Sequence, residues 1–155
     1  MTNFLVELSA KRLEYLKEIV PSLSRVALLI NPSAKISELY VEQSKAAEPK
    51  LGMTTQAFEM RAASELEGTF DAMVKAGMQA VVVNAESLFY QVKDEIAKLA
   101  LDRRMPTCVW VKEVLEAGSL VSYGADQHVL YLKTAGALAV TVPPLLLAQA
   151  DEVIE

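Results

Sequence analysis

The sequence predicts an α/β protein, a three-layer sandwich around a five-stranded parallel sheet of flavodoxin-like order 2-1-3-4-5. Three observations predict it. Residues 26–30 are apolar without alternation, as a strand covered on both faces must be. Asn31 and Pro32 stop that run, because proline has no amide hydrogen for a ladder and asparagine tolerates turn geometry. Three later segments repeat buried strand, polar turn and helix at the spacing of right-handed parallel crossovers.

Taken in order, residues 3–20 read as a helix. Leu5, Leu8, Leu13, Leu16 and Ile19 or Val20 form its apolar stripe, with Lys11, Arg12, Glu14, Lys17 and Glu18 facing water. Pro21 ends it, and residues 22–24 turn the chain into the first strand. Ser37 is expected to cap a helix over 37–51 that Pro49 distorts or shortens before Gly52 stops it. Residues 54–60 alternate weakly and suit a second strand near the sheet edge. Ser64 and Glu67 form a capping box for a helix that carries Leu66, Phe70, Met73 and Val74 and ends at Gly77. Residues 80–83 are the third strand, 84–87 its loop, and Leu88, Phe89, Val92, Ile96, Leu99 and Ala100 mark one long helix. Pro106 leads into a fourth strand over 107–111. A short helix over 112–117 and a fifth strand over 120–123 follow, before Gly124, Ala125 and Asp126.

The chain has 155 residues, 52% hydrophobic and 23% charged, enough to bury a core as a single domain over 1–155. Its 20 acidic against 15 basic residues give a net charge of -5 with no basic cluster, which argues against nucleic acid as a partner. One cysteine, Cys108, excludes an internal disulfide and reads as a small buried hydrophobe. The single histidine, His128, has no second ligand at metal spacing, so neither a zinc site nor a Ser-His-Asp triad is expected. Residues 129–148 are apolar over nearly a membrane's thickness, but Lys133 and Pro143-Pro144 favour a buried helix with an extended tail. The amino terminus carries no signal-peptide pattern, which as written suits the cytoplasm.

Open parallel sheets bind ligands beyond the carboxyl ends of their strands, where the strand order reverses. That crevice falls between loops 31–35 and 84–87, with 122–126 as one wall. These loops offer amides, hydroxyls, a phenol and helix amino termini, suited to a small polar or carboxylate-bearing ligand. Each residue also has a plainer role: Asn31 and Asn84 close strands, Tyr123 packs over the sheet, Asp126 caps a helix, and Trp110 belongs to the core. No G-x-x-x-x-G-K or G-x-G-x-x-G follows a strand, and Glu86, Asp94 and Glu95 form no catalytic pair. No catalytic residue, cofactor or metal is therefore expected.

Four segments, ELSAKRLEYLKEIVPSLSRVALLINPSA, MQAVVVNAESLF, RRMPTCVWVKEVLEAGSLVSYGAD and LKTAGALAVTVPPLLLAQADEVIE, resemble in order the ABC-transporter substrate-binding proteins once catalogued as a domain of unknown function. The resemblance implies the type I periplasmic binding protein fold, two α/β lobes with a ligand closed between them, and this chain resembles the second lobe. Members begin with a signal or lipoprotein sequence and an amino-terminal lobe. They also insert a helix and a strand segment between the positions of Tyr131 and Leu132. The loops NPSA, NAES and SYGAD match the cleft-facing loops of this lobe, which makes Asn31, Ser33, Asn84, Glu86, Ser122, Tyr123 and Asp126 the ligand-contact candidates. The resemblance implies a small solute as ligand, aromatic amino acids included, and an ABC permease as partner of a full-length form. A single lobe exposes the face its partner lobe would cover, so a homodimer is expected. The alternative from another class is a cytoplasmic ligand-sensing or interaction module built from the same lobe.

Overall fold

Strand β1 (Arg25–Ile30) lies one strand in from an edge of the sheet, and its residues from Val26 to Ile30 are all buried. In this computed structural model, which describes residues 2–117, 119, 121–123, 130–133 and 144–154, helix α1 (Thr2–Ile19) precedes it. Then come α2 (Ser37–Leu51), β2 (Thr54–Glu59), a 3-10 turn (Ala63–Glu65), α3 (Leu66–Lys75) and β3 (Ala80–Val83). Helices α4 (Ser87–Gln91) and α5 (Lys93–Asp102) lead to β4 (Thr107–Val109), α6 (Lys112–Glu116) and β5 (Val121–Tyr123). Strand β6 (Leu130–Lys133), α7 (Pro144–Gln149) and β7 (Glu152–Ile154) close the described chain.

The five predicted strands are present, mutually parallel and in the order 2-1-3-4-5. The register brings Leu29 beside Val83, Val82 beside Cys108 and Val109 beside Ser122, so the carboxyl ends of β1, β3, β4 and β5 share one rim. Alternation along each strand sorts the side chains into two cores. Val26, Leu28, Ile30, Ala80, Val82, Cys108, Val121 and Tyr123 pack under Leu8, Leu13, Leu16 and Ile19 of α1. Ala27, Leu29, Val81, Val83 and Val109 pack under Phe70 and Met73 of α3, Phe89 of α4, Ile96 of α5 and Leu115 of α6. These are the three layers of the sandwich. Helix α1 runs down to the amino end of β1, which leaves its first half beside the rim.

Beyond the predicted five, β6 pairs antiparallel with β5, and β7 pairs parallel with β6. Residues 130–133 were expected in a buried helix. They form a strand because the outer edge of β5 offers unpaired amides and carbonyls that a following extended segment satisfies. Strand β6 passes without a break through the Tyr131–Leu132 junction. Of the rest of that span, 129 and 134–143 lie outside the described residues, and 144–148 fall in helix α7. Among the described residues, no helix is long and apolar enough to cross a membrane.

Four local expectations are corrected. Ser37 is no side-chain cap: its hydroxyl donates to the Asn31 carbonyl at 2.6 Å. Pro49 does not shorten α2, which continues to Leu51. Gly52 stops the helix in the left-handed region (φ 64°), its amide bonding the Glu48 carbonyl, while the Glu48 carboxylate accepts from the Thr55 amide and hydroxyl. The box before α3 is closed by Glu65 rather than by Ser64 and Glu67, its carboxylate accepting from the Arg61 and Ala62 amides. The long helix is two helices, divided at Val92 (φ -105°, ψ 23°). Trp110 lies just past β4, half-buried against the α3–α6 core.

Candidate functional site

The rim is built by what each strand does as it ends. After β1, the Asn31 side-chain oxygen accepts from the Ser33 amide at 3.0 Å, and the Asn31 carbonyl accepts from the Ala34 amide and the Ser37 hydroxyl. This Asx turn aims the chain into α2 and leaves Ser33 exposed. One strand over, Asn84 is 5% exposed, and both its backbone and side-chain nitrogens reach the Leu29 carbonyl at 3.4 Å. That second turn leads to Glu86, whose carboxylate accepts from the Leu88 amide at 2.8 Å and so caps α4. Asn31, Ser33, Asn84 and Glu86 thus stand on adjacent turns at the reversal of strand order.

Ser122 and Tyr123 end β5 two strands from β3, and the pleat sends them to opposite faces. Tyr123 belongs to the α1 side, where its ring meets that of Tyr15 edge-on at 5.3 Å. Ser122 is 1% exposed, with a hydroxyl that has no hydrogen-bond partner. The rim therefore brings the two asparagine turns together, places Tyr123 along their α1 flank, and buries Ser122 beneath the other side. Asp126 and His128 lie outside the described residues.

Sequence reasoning passed over one rim residue, Arg12, by assigning it to water. It is 1% exposed. Its Nε donates to the Tyr123 carbonyl at 2.9 Å, while its Nη1 is buried without an acceptor. Burial alone depresses the basicity of this guanidinium, and its electrostatic neighbours are the Cys108 thiol and the Tyr40 and Tyr123 phenols. The signal was present in the spacing: Arg12 stands four residues from both Leu8 and Leu16, inside the apolar stripe rather than beside it.

Cys108 lies in the same core, wholly buried, and desolvation pushes its thiol up to about 12 despite the nearby Arg12. A thiol so protonated is no nucleophile. Among the described residues, no group of three or more His, Cys, Asp or Glu side chains is placed to hold a metal. At the opposite end of the sheet, an open depression of about 550 Å³ is lined by Ser24, Arg25, Glu48, Gly52 and Thr54. Its polar groups satisfy one another, with Glu48 on Thr55 and Gln79 on the Ser24 and Arg25 amides. It lies at strand amino ends, away from the rim.

Solved structures share this fold. An ABC domain in complex with L-Trp from Streptococcus pneumonia superimposes with a TM-score of 0.85 at 20% identity, over 95% of this chain and 62% of its own. A conserved domain protein from Vibrio cholerae matches with a TM-score of 0.82 at 14% identity, over 94% of this chain and 60% of its own. An open, ligand-free substrate binding protein with adhesive properties from Clostridium difficile matches with a TM-score of 0.78 at 16% identity, over 93% and 59%. At such identities the likeness establishes the fold, and this chain spans about three fifths of the length of those structures. No curated protein matches the chain. The model of the ABC transporter substrate binding protein family matches residues 6–152, nearly the whole sequence, and the chain belongs to that family.

Proposed function

We propose that this chain is the ligand-gripping lobe of a solute-binding component of an ABC importer, whose small polar or amino-acid-like ligand sits on the rim formed by the Asn31 and Asn84 turns. The observation that carries this reading is the juxtaposition of those turns at the reversal of strand order, the place where open parallel sheets present backbone amides and side-chain amides to ligands. Of the candidates, Ser33 is exposed and Asn31 and Glu86 are partly exposed; Asn84 and Tyr123 are buried along the rim's floor and flank, and Ser122 and Asp126 complete the candidate set. The Glu86 carboxylate already holds the α4 amide, so it contributes through its remaining lone pairs. The role proposed is one of binding; among the described residues, the rim pairs no nucleophile with a base.

Members of this family work outside the cytoplasmic membrane, and the partner implied for a full-length form is the importer's permease. A neighbour of the same fold was solved with L-Trp, which makes aromatic amino acids a sensible first group of candidates. Studied alone, the chain should bind weakly, since a clamp derives affinity from burying its ligand on two sides. The same free rim, where Ile36 and Tyr90 are exposed, is where two copies would meet to form the expected homodimer.

The test is a thermal-shift screen of amino acids, small carboxylates, their amides and sugars at millimolar concentration. A ligand of the folded state raises Tm by mass action, by about 2.7 kcal/mol of stability at a hundredfold excess over Kd. Silence across the whole panel would refute a working site on this rim.

A further inference from the structure

Strand β2 ends the sheet, and no described strand pairs with its outer edge. The Thr54 and Met60 amides turn inward, to the Ser24 and Ile30 carbonyls at either end of β1. The alternation of a parallel ladder therefore sends the amides and carbonyls of Thr55, Ala57 and Glu59 outward. Six extended residues with three outward donor–acceptor pairs are a template on which another strand can add.

The first of those pairs is already taken. Glu48 reaches across from the last turn of α2, its carboxylate accepting from the Thr55 amide at 2.7 Å and from the Thr55 hydroxyl at 2.6 Å. Lys45, one turn earlier, donates to the Thr55 carbonyl at 3.3 Å, and the two side chains form an ion pair at 3.9 Å. A carboxylate on the amide and an ammonium on the carbonyl stand where the carbonyl and amide of a neighbouring strand would stand. At the far end of the strand, the exposed Glu59–Arg61 ion pair sets charge beside the last outward residue. Among the described residues, only Ala57 is left with neither device, and a single outward pair does not sustain a ladder.

We propose that Lys45 and Glu48 guard the β2 edge against a second copy of this chain, whose own β2 would otherwise add antiparallel across a twofold axis. The excluded occupant is a second copy because the edge complements itself: each outward residue offers one donor and one acceptor, and antiparallel strands exchange both. The guard matters for assembly as well as for the strand. Two different twofold contacts on one chain, this edge and the rim to which the homodimer is assigned above, do not close on themselves and propagate into an open row of copies. Guarding the edge confines association to one surface. The inference is independent of what the rim binds.

The experiment is a concentration series in light scattering. The double variant Lys45→Ala with Glu48→Ala, shown to be folded by circular dichroism, is expected to reach at least about twice the wild-type mass at the same concentration. Adding Ala57→Pro should bring the mass back, since proline there removes an outward amide hydrogen and leaves the ladder to β1 intact. A double variant with the wild-type mass overturns the proposal. Association that Ala57→Pro leaves unchanged runs through some other surface and overturns it too. If the double variant does not fold, Lys45→Ala decides: that side chain is more than half exposed, its loss frees only the Thr55 carbonyl, and the mass should rise more steeply with concentration than in the wild type. An unchanged concentration dependence then refutes the guard. Hydrogen exchange of the wild-type chain adds a check that needs no variant, with the Thr55 amide expected to exchange more slowly than that of Ala57; equal rates would mean that Glu48 does not hold the edge in solution, and the proposal falls.

Discussion

At the scale of single residues, burial rather than identity decides what the polar groups of this protein do. Cys108 and Arg12 lie in one core, each deprived of water, and desolvation disfavours the charged form of both, which raises the pKa of the thiol and lowers that of the guanidinium. For Cys108 the consequence is measurable. The folded chain holds the thiol proton up to about 12, against an ordinary value of 9.0. A proton held more tightly in the folded than in the unfolded state gives stability that is complete below pH 9.0 and is lost as pH rises from there towards about 12. The stability difference between the wild type and Cys108→Ala should therefore shrink across that window in urea melts, and a difference independent of pH would refute the account. The native thiol should also resist alkylation at pH 8, reacting only once the chain is unfolded.

At the scale of elements, strand positions were legible and helix ends were not. A buried parallel strand declares itself by an unbroken apolar run, and β1 and β3 fall within a residue of where those runs lie. Helix ends depend on which nearby acceptor wins. Glu65 rather than Ser64 closes the box before α3 because its longer side chain reaches back to two free amides. The break at Val92 escaped notice because the ladder bridges it: the Val92 amide bonds the Leu88 carbonyl and the Ile96 amide bonds the Val92 carbonyl, so the apolar stripe keeps its phase. Glu86 joins element to site. Removing its cap in Glu86→Ala should cost about 1 kcal/mol in chemical denaturation. Glu86→Asp, which keeps a capping carboxylate, should cost less; equal losses would show that capping is not its contribution.

At the scale of the molecule, the rim is a product of register. Asn31 and Asn84 are 53 positions apart by their numbers in the chain, yet they end neighbouring strands because Leu29 pairs with Val83. The homodimer proposed above would form on this same rim. Light scattering is expected to give a mass near twice 16.9 kDa, and a monomer mass unchanged by concentration would exclude the dimer.

Hydrophobic runs, their polar stops and the spacing between them determined the α/β class, the order of the five parallel strands and which turns follow them, because these depend on periodicities that a chain carries locally. The tertiary structure alone decided that Leu130–Lys133 joins the sheet as an antiparallel edge, that Ser122 and Tyr123 part to opposite faces, and that Arg12 is sealed inside rather than solvated. Each of those outcomes turns on what a residue packs against, and a helix stripe or a strand end acquires its neighbours only when distant segments meet.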